Sequence, residues 1–201
     1  MDVELIPLSQ LKDSDIKRLA SLHHSVMHTL LSDLGLPMVL RYYQIAHTDL
    51  SVIGICVMDS LHEILGWVVG SPYPDRIISG LRTPLAWFAL QMLRVTFTRP
   101  FVLRQLIASV LSSSTEVEMK QAAIELTYIG VAFNHRERGL GRKLLHAFIE
   151  TSRSNGYRSV LLSVEKENSS AVALYEKSGF KIIKTYSEGR YQRHRMELIL
   201  E

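Results

Sequence analysis

Two glycines and two polar side chains in the C-terminal part of the chain have the types and spacing to bind a phosphorylated ligand and to act on it. Gly139 and Gly141 follow an apolar run, within Arg136-Glu-Arg-Gly-Leu-Gly141. A turn without side chains lets main-chain N–H groups approach a pyrophosphate at the start of a helix. Asn168 and Tyr175 follow seven residues apart. On a helix this spacing places them on one face, about 10 Å apart along the axis.

Each of these residues also has a purely structural interpretation. A strand-to-helix corner often carries two glycines without binding anything. Asn168 precedes a predicted helix and can cap it, because its side-chain oxygen can accept hydrogen bonds from the first helical N–H groups. Tyr175 lies between Leu174 and Phe180 and can be a core aromatic.

Together the motifs resemble the GNAT superfamily of N-acetyltransferases. Its acetyl-CoA signature, Arg/Gln-x-x-Gly-x-Gly/Ala, is matched by residues 136–141. Its Asn-x-x-Ala-x-x-x-Tyr-x-x-x-Gly-Phe pattern is matched by Asn168, Ala171, Tyr175, Gly179 and Phe180. The resemblance implies that acetyl-CoA is the cosubstrate and that the acetyl group passes directly to a primary amine of a small molecule, an amino sugar or a protein. No residue is implied as a covalent nucleophile.

The resemblance also implies a set of site residues. Those expected to bind the coenzyme are Ile129, Val131, Phe133, Arg136, Arg138, Gly139, Leu140, Gly141, Arg142, Lys143, Asn168 and Tyr175. Backbone from Arg138 to Leu144 is expected to receive the pyrophosphate, and main-chain N–H groups near Ile129 to Val131 to stabilise the developing oxyanion. Tyr175 is implied as the catalytic general acid, because a phenol with a pKa near 10 can protonate the leaving thiolate.

Glu125 is the predicted catalytic base. It stands six residues before Val131, where some protein-modifying members of the family place a catalytic glutamate. A strand rises about 3.3 Å per residue, so Glu125 is about 13 Å from Ile129, and direct proton removal would need a bulge or intervening waters. A surface-strand role is the alternative. Other candidates for the base remain open: Tyr128, Glu165, Tyr191 and His194.

Composition limits the class of protein. A chain of 201 residues with 47% apolar content predicts a single domain over 1–201, with a cofactor-binding core at about 122–200. A net charge of +3 and a pI near 9.0 suit an acidic coenzyme and predict no nucleic-acid surface. Cys56 is the only cysteine and, with no signal peptide, suits the cytoplasm. No histidine cluster has metal-site spacing, so we expect no metal.

Hydrophobic periodicity and the resemblance together predict an α/β fold. The expected architecture is a GNAT-like mixed, mostly antiparallel central sheet with helices on both faces and a helical insertion between strands 3 and 4. The predicted strands cover 3–8, 50–58, 63–70, 124–133, 159–164, 181–186 and 191–200, and the predicted helices cover about 13–26, 38–47, 139–155 and 169–178. The last two strands are expected to form a hairpin around Glu188-Gly189.

The insertion, at about 72–115, is basic and amphipathic. Between Arg76 and Thr115 there is no acidic residue, and arginines alternate with aromatic residues. We expect it to form two helices and to help select the acceptor amine. Three alternatives remain open: peripheral membrane contact through 76–115, docking of a protein partner, and a homodimer interface. A non-catalytic acyl-CoA-binding module is a further alternative for the whole chain.

Overall fold

A single mixed sheet organises the part of the chain that the computed structural model describes, residues 3–98, 122–188 and 191–200. Its strands are β1 (Val3–Pro7), β2 (Ile53–Asp59), β3 (Ile64–Ser71), β4 (Ala123–Val131), β5 (Ser159–Glu165), β6 (Lys181–Glu188) and β7 (Tyr191–Ile199). The strand order is β1-β2-β3-β4-β5-β7-β6. Only the β4–β5 pair is parallel among these neighbours. The predicted fold class is confirmed.

Helices lie on both faces of this sheet. They are α1 (Asp13–Val26), α2 (Leu30–Asp33), α3 (Leu36–Thr48), α4 (Pro74–Gly80), α5 (Leu85–Thr98), α6 (Leu140–Ser154) and α7 (Ser169–Lys177). The short helix α2 was not predicted from the sequence. Strands β6 and β7 pair antiparallel up to Glu188 opposite Tyr191, so the predicted closing hairpin is confirmed. Gly189 of its turn and the end of the predicted insertion, 99–115, lie outside the described residues.

Two hydrophobic clusters form on opposite faces of the sheet and explain why the helices sit where they do. Helices α1 and α3 bury Leu19, Met38 and Tyr43 against the face that carries Trp67. Helix α6 buries Leu144, Leu145 and Phe148 against the other face, at positions that recur with the helical period. Strands β2 and β3 lie between the clusters and are buried on both faces, so their apolar residues run almost without a break.

Strand β4 departs from the predicted form in two ways. Val69 pairs with Tyr128 and Gly70 with Leu126, so Thr127 is an extra residue, a β-bulge. The strand ends at Val131 rather than at Phe133, because residues 133–135 form a turn of 3₁₀ helix. The bulge changes which residues of β4 face each side of the sheet between Glu125 and Ile129.

The described part of the insertion consists of α4 and α5. Helix α5 packs Trp87, Phe88 and Met92 against the cluster on the α1 and α3 face. Its other side leaves apolar side chains exposed: Leu85, Leu90, Leu93 and Phe97. None of the helices in the described ranges is long and apolar enough to cross a membrane. Contact of 76–115 with a membrane surface or a partner stays a prediction, as does a homodimer.

A buried histidine lies inside an aromatic cluster between α1, α3 and the sheet. His23 is 0% exposed, and its Nδ1 atom is 2.7 Å from the hydroxyl oxygen of Tyr43. Its ring centroid is 4.8 Å from that of Tyr128 and 5.5 Å from that of Trp67. Its Nε2 atom has no hydrogen-bond partner among the described residues. Burial, with a smaller contribution from His24, lowers the pKa of His23 to about 4.

This histidine makes the stability of the fold pH-dependent. The unfolded chain binds a proton at His23 near pH 6.5 and the folded chain only near pH 4, so the free energy of unfolding falls as the pH drops through this window. The full loss is about 3 kcal/mol. We expect His23→Gln to flatten this part of the curve, measured by urea unfolding from about pH 7 to pH 4, whereas the exposed His146→Gln keeps it. An unchanged slope in His23→Gln would contradict the assignment.

Candidate functional site

The turn between β4 and α6 presents main-chain N–H groups without acceptors. Gly139 precedes α6 in the left-handed region, with φ of 76°, and a Cβ atom built there would meet nothing within 4 Å. The first intrahelical bond runs from the Lys143 N–H to the Gly139 carbonyl oxygen, at 3.0 Å. The N–H groups of Leu140, Gly141 and Arg142 therefore have no helical acceptor. With the positive end of the helix dipole they form a site for an anion such as a pyrophosphate.

Gly141 is the point where three elements of the site meet. A Cβ atom at Gly141 would lie 3.8 Å from Leu174 Cδ2 of α7 and 4.0 Å from Val131 Cγ2 of β4. These are ordinary contact distances, so the N-terminus of α6 lies beside α7 and beside the end of β4. This contact brings the two sequence motifs together.

The basic side chains around the turn are not equivalent. The Arg136 guanidinium stacks over the exposed Phe133 ring, 4.1 Å from its centroid, and its Nε donates to the Val131 carbonyl oxygen at 3.4 Å. The Lys143 ammonium donates to the carbonyl oxygen of Val3 in β1, at 3.4 Å. Arg138 and Arg142 are exposed beside the turn. Arg136 thus holds the 3₁₀ turn, and the Lys143 N–H is already bonded within α6.

Asn168 has the capping role that its position suggests. Its Oδ1 atom accepts hydrogen bonds from the Ala171 N–H at 3.3 Å and from the Ser170 hydroxyl at 3.1 Å. The side chain is exposed at the start of α7, and its amide donors are not used in the cap. The cap role and a contact with an extended ligand are therefore compatible.

Tyr175 is buried on α7, with 5% of its surface exposed. Its ring packs against Phe180, with centroids 5.7 Å apart. Burial raises the pKa of Tyr175 well above its ordinary value of 10. The hydroxyl is therefore protonated at physiological pH, as a proton donor has to be, and burial makes it a weaker acid than a free tyrosine.

Strands β4 and β5 separate beyond Leu126. Their parallel pairing ends with Leu126 opposite Leu162, although β4 continues to Val131 and β5 to Glu165. The Ala132 N–H donates to Leu65 on β3 at 2.8 Å. Because alternate residues of an antiparallel strand face the same neighbour, the N–H groups of Ile129 and Val131 face the opening. Within the described chain no strand pairs with them, so they can donate to an oxyanion.

Glu125 is held by an arginine that the sequence reasoning missed. Its two carboxylate oxygens accept hydrogen bonds from Nη1 and Nη2 of Arg195, at 2.6 and 2.9 Å. The same Nη1 donates to the Ser163 hydroxyl at 3.1 Å. The Arg195 side chain is 7% exposed. Arg195 thus makes a two-point, charge-assisted contact with the Glu125 carboxylate.

The other candidates for the base are dispersed over the sheet. The Tyr128 ring lies edge-on to His23. Glu165 is 4.0 Å from an Arg193 nitrogen, and His194 Nδ1 is 2.8 Å from the Thr185 hydroxyl. No group of three or more potential metal ligands occurs within the described ranges.

Comparison with known proteins decides the family. Residues 28–180 match the family described as "Acetyltransferase (GNAT) family". The chain belongs to the GNAT acetyltransferase family. Membership confirms the family and the enzyme class predicted from the two motifs, together with acetyl-CoA as the cosubstrate.

Comparisons with individual proteins agree with the family assignment. The chain is 39% identical over 62 residues to a mycothiol acetyltransferase of Corynebacterium glutamicum, a stretch covering 31% of this chain and 21% of that protein. The match thus spans about a fifth of that curated relative. The fold is similar to an N-acetyltransferase from Staphylococcus aureus, with a TM-score of 0.64, 14% identity and full coverage of both chains. It is also similar to yncA from Salmonella typhimurium, determined with its cofactor acetyl-CoA, with a TM-score of 0.63, 14% identity, and coverage of 100% and 95%.

Two sets of main-chain N–H groups in this GNAT chain fit parts of the coenzyme. The unpaired N–H groups of Leu140, Gly141 and Arg142 suit its pyrophosphate, and the unpaired amides of β4 suit its thioester carbonyl. Both sets lie around the junction at Gly141.

Proposed function

We propose that this chain transfers the acetyl group of acetyl-CoA directly to a primary amine of a small molecule, an amino sugar or a protein. The observation that carries the proposal is the convergence at Gly141. There the N-terminus of α6 lies beside both the end of β4 and the helix that carries Tyr175, since a Cβ atom at Gly141 would contact Val131 and Leu174. A purely structural corner does not need unpaired amides on both α6 and β4.

Different groups of the chain act in different steps of the proposed reaction. The bound coenzyme supplies an acetyl thioester whose sulfur can leave as a thiolate. The N–H groups of residues 140–142 hold the pyrophosphate, and Asn168 orients the arm that follows it. The Ile129 N–H donates to the carbonyl oxygen as negative charge develops there. The Tyr175 hydroxyl gives its proton to the departing sulfur.

Removal of the proton from the amine is the remaining step, and Glu125 is the predicted base. The bulge at Thr127 shortens the path from Glu125 to Ile129 relative to a regular strand, which supports this role. Against this role stands the pair with Arg195, which occupies both carboxylate oxygens.

An acceptor screen tests the proposal. We expect the protein to release free coenzyme A from acetyl-CoA in the presence of at least one class of primary amine, with mass spectrometry showing one acetyl group on that amine. The panel should contain amino sugars, polyamines, amino acids and peptides with free N-termini. Binding of acetyl-CoA by calorimetry without acetylation of any amine would instead favour a non-catalytic acyl-CoA-binding module.

A further inference from the structure

The ion pair between Glu125 and Arg195 spans three strands of the sheet. Arg195 lies on β7 opposite Ser163 of β5, and Glu125 lies on β4 opposite Leu161 of β5. The guanidinium therefore crosses β5 to reach the carboxylate, and donates to the Ser163 hydroxyl on the way. The Tyr186 hydroxyl of β6 donates to the same Ser163 oxygen at 3.1 Å. One polar network thus joins β4, β5, β6 and β7.

The position of this pair along β4 is specific. Glu125 is one residue before Leu126, the last residue of β4 that pairs with β5. Immediately beyond it come the bulge at Thr127 and the separation of the two strands. The pair therefore fixes β4 at the point where it begins to separate from β5. The N–H groups of Ile129 and Val131 face the gap just beyond this point.

The chemistry of the Glu125–Arg195 pair suits a permanent structural contact between strands, called a brace below. Burial lowers the pKa of Arg195, but its hydrogen bonds to Glu125 and the charge of that carboxylate outweigh burial, so the pKa is raised above its ordinary value. The two-point contact fixes the relative orientation of the two side chains as well as their distance. A base has to gain and lose a proton in each turnover, whereas a brace has to keep its contacts throughout.

We propose that Glu125 and Arg195 are positioning residues, which set the angle at which β4 leaves β5 and so aim the Ile129 N–H at the thioester carbonyl. This inference rests on the proposed function, and it replaces the predicted role of Glu125 as the base. The N–H groups that hold the pyrophosphate lie at the start of α6, which the pair does not contact. Loss of the pair should therefore lower kcat and leave coenzyme affinity unchanged.

A double-mutant cycle separates a brace from a base. We expect Glu125→Gln, Arg195→Gln and the double variant each to lower kcat by roughly 10²-fold, the cost of misplacing reacting groups by about 1 Å. The double variant should be no slower than the slower single variant, because each change breaks the same contact. Arg195→Lys should keep more activity than Arg195→Gln. Calorimetric affinity for coenzyme A should stay within about threefold of wild type in all of them.

A different pattern of kcat values in the single variants would contradict the brace. If Glu125→Gln abolishes turnover while Arg195→Gln keeps wild-type kcat, Glu125 is the base and the brace is wrong. Arg153→Ala is the control, since it removes an arginine from an exposed ion pair with Glu150 on α6 and should change neither kcat nor affinity.

A second readout does not depend on turnover. In ¹⁵N spectra of the free protein, Arg195→Gln should move the amide signals of Ile129 and Val131 and leave those of Leu140 to Arg142 in place. Unmoved signals at Ile129 and Val131 would overturn the brace even if wild type acetylates no amine. An inactive wild type with moved signals would count against the proposed function alone.

Discussion

Gly139→Val is expected to weaken the binding of acetyl-CoA by on the order of 100-fold or more. The new side chain would stand in the space beside the N–H groups of Leu140, Gly141 and Arg142, which is open in the protein. Each charge-assisted hydrogen bond lost costs about 1.5–3 kcal/mol, so loss of two is enough for this effect. Isothermal titration with acetyl-CoA measures it directly.

Gly156→Val is the matched control for this change. Gly156 follows the other end of α6 with φ of 78°, and a Cβ atom there also meets nothing within 4 Å. Both variants carry the same left-handed strain, about 1–2 kcal/mol, so they should lose similar thermal stability. Only Gly139→Val should lose affinity for acetyl-CoA. Equal affinity in the two variants would show that the turn does not hold the pyrophosphate.

Tyr175→Phe is expected to lower kcat by about 10²- to 10⁴-fold while the affinity for acetyl-CoA stays near wild type. The ring keeps its packing against Phe180, and only the hydroxyl that donates the proton is lost. Steady-state kinetics with a saturating amine, alongside calorimetry, separates the two quantities. Because burial raises the pKa of Tyr175, its hydroxyl stays protonated, and this residue should cause no loss of rate up to about pH 9.

Tyr157→Phe controls for removal of a tyrosine hydroxyl elsewhere. Tyr157 follows α6 and its side chain is half-buried. This variant should keep both kcat and affinity. A Tyr175→Phe variant with wild-type kcat would remove Tyr175 from the reaction and leave it as a core aromatic, the alternative that its neighbours suggest.

Local sequence signals were sufficient for most of the fold, for the glycine turn before α6 and for the cap of α7. Apolar runs in β2 and β3 and the amphipathic period of α6 are strong because burial of whole faces creates them. The turn at Gly139 was predictable because a left-handed residue before a helix requires glycine. Asn168 was predictable as a cap for a similar local reason.

The features that remained hidden depend on contacts between distant segments. The bulge at Thr127 arises from the register of β4 against β3, which no local pattern around it reveals. Arg195 looks like any outward residue of an alternating strand, yet it is buried by its contact with Glu125, 70 residues away in the chain. The end of β4 was misplaced because Phe133 is as apolar as a strand residue but stacks under Arg136 in the 3₁₀ turn.

The central claim is that main-chain amides at the start of α6 hold the diphosphate of the coenzyme while the separated part of β4 receives its thioester. Titration of ¹⁵N-labelled protein with acetyl-CoA, followed by amide chemical shifts, tests this most directly. Saturating shifts at Leu140, Gly141 and Arg142, together with shifts at Ile129 and Val131, are the predicted result. Shifts confined to other parts of the chain, or no shifts at saturating coenzyme, would contradict it.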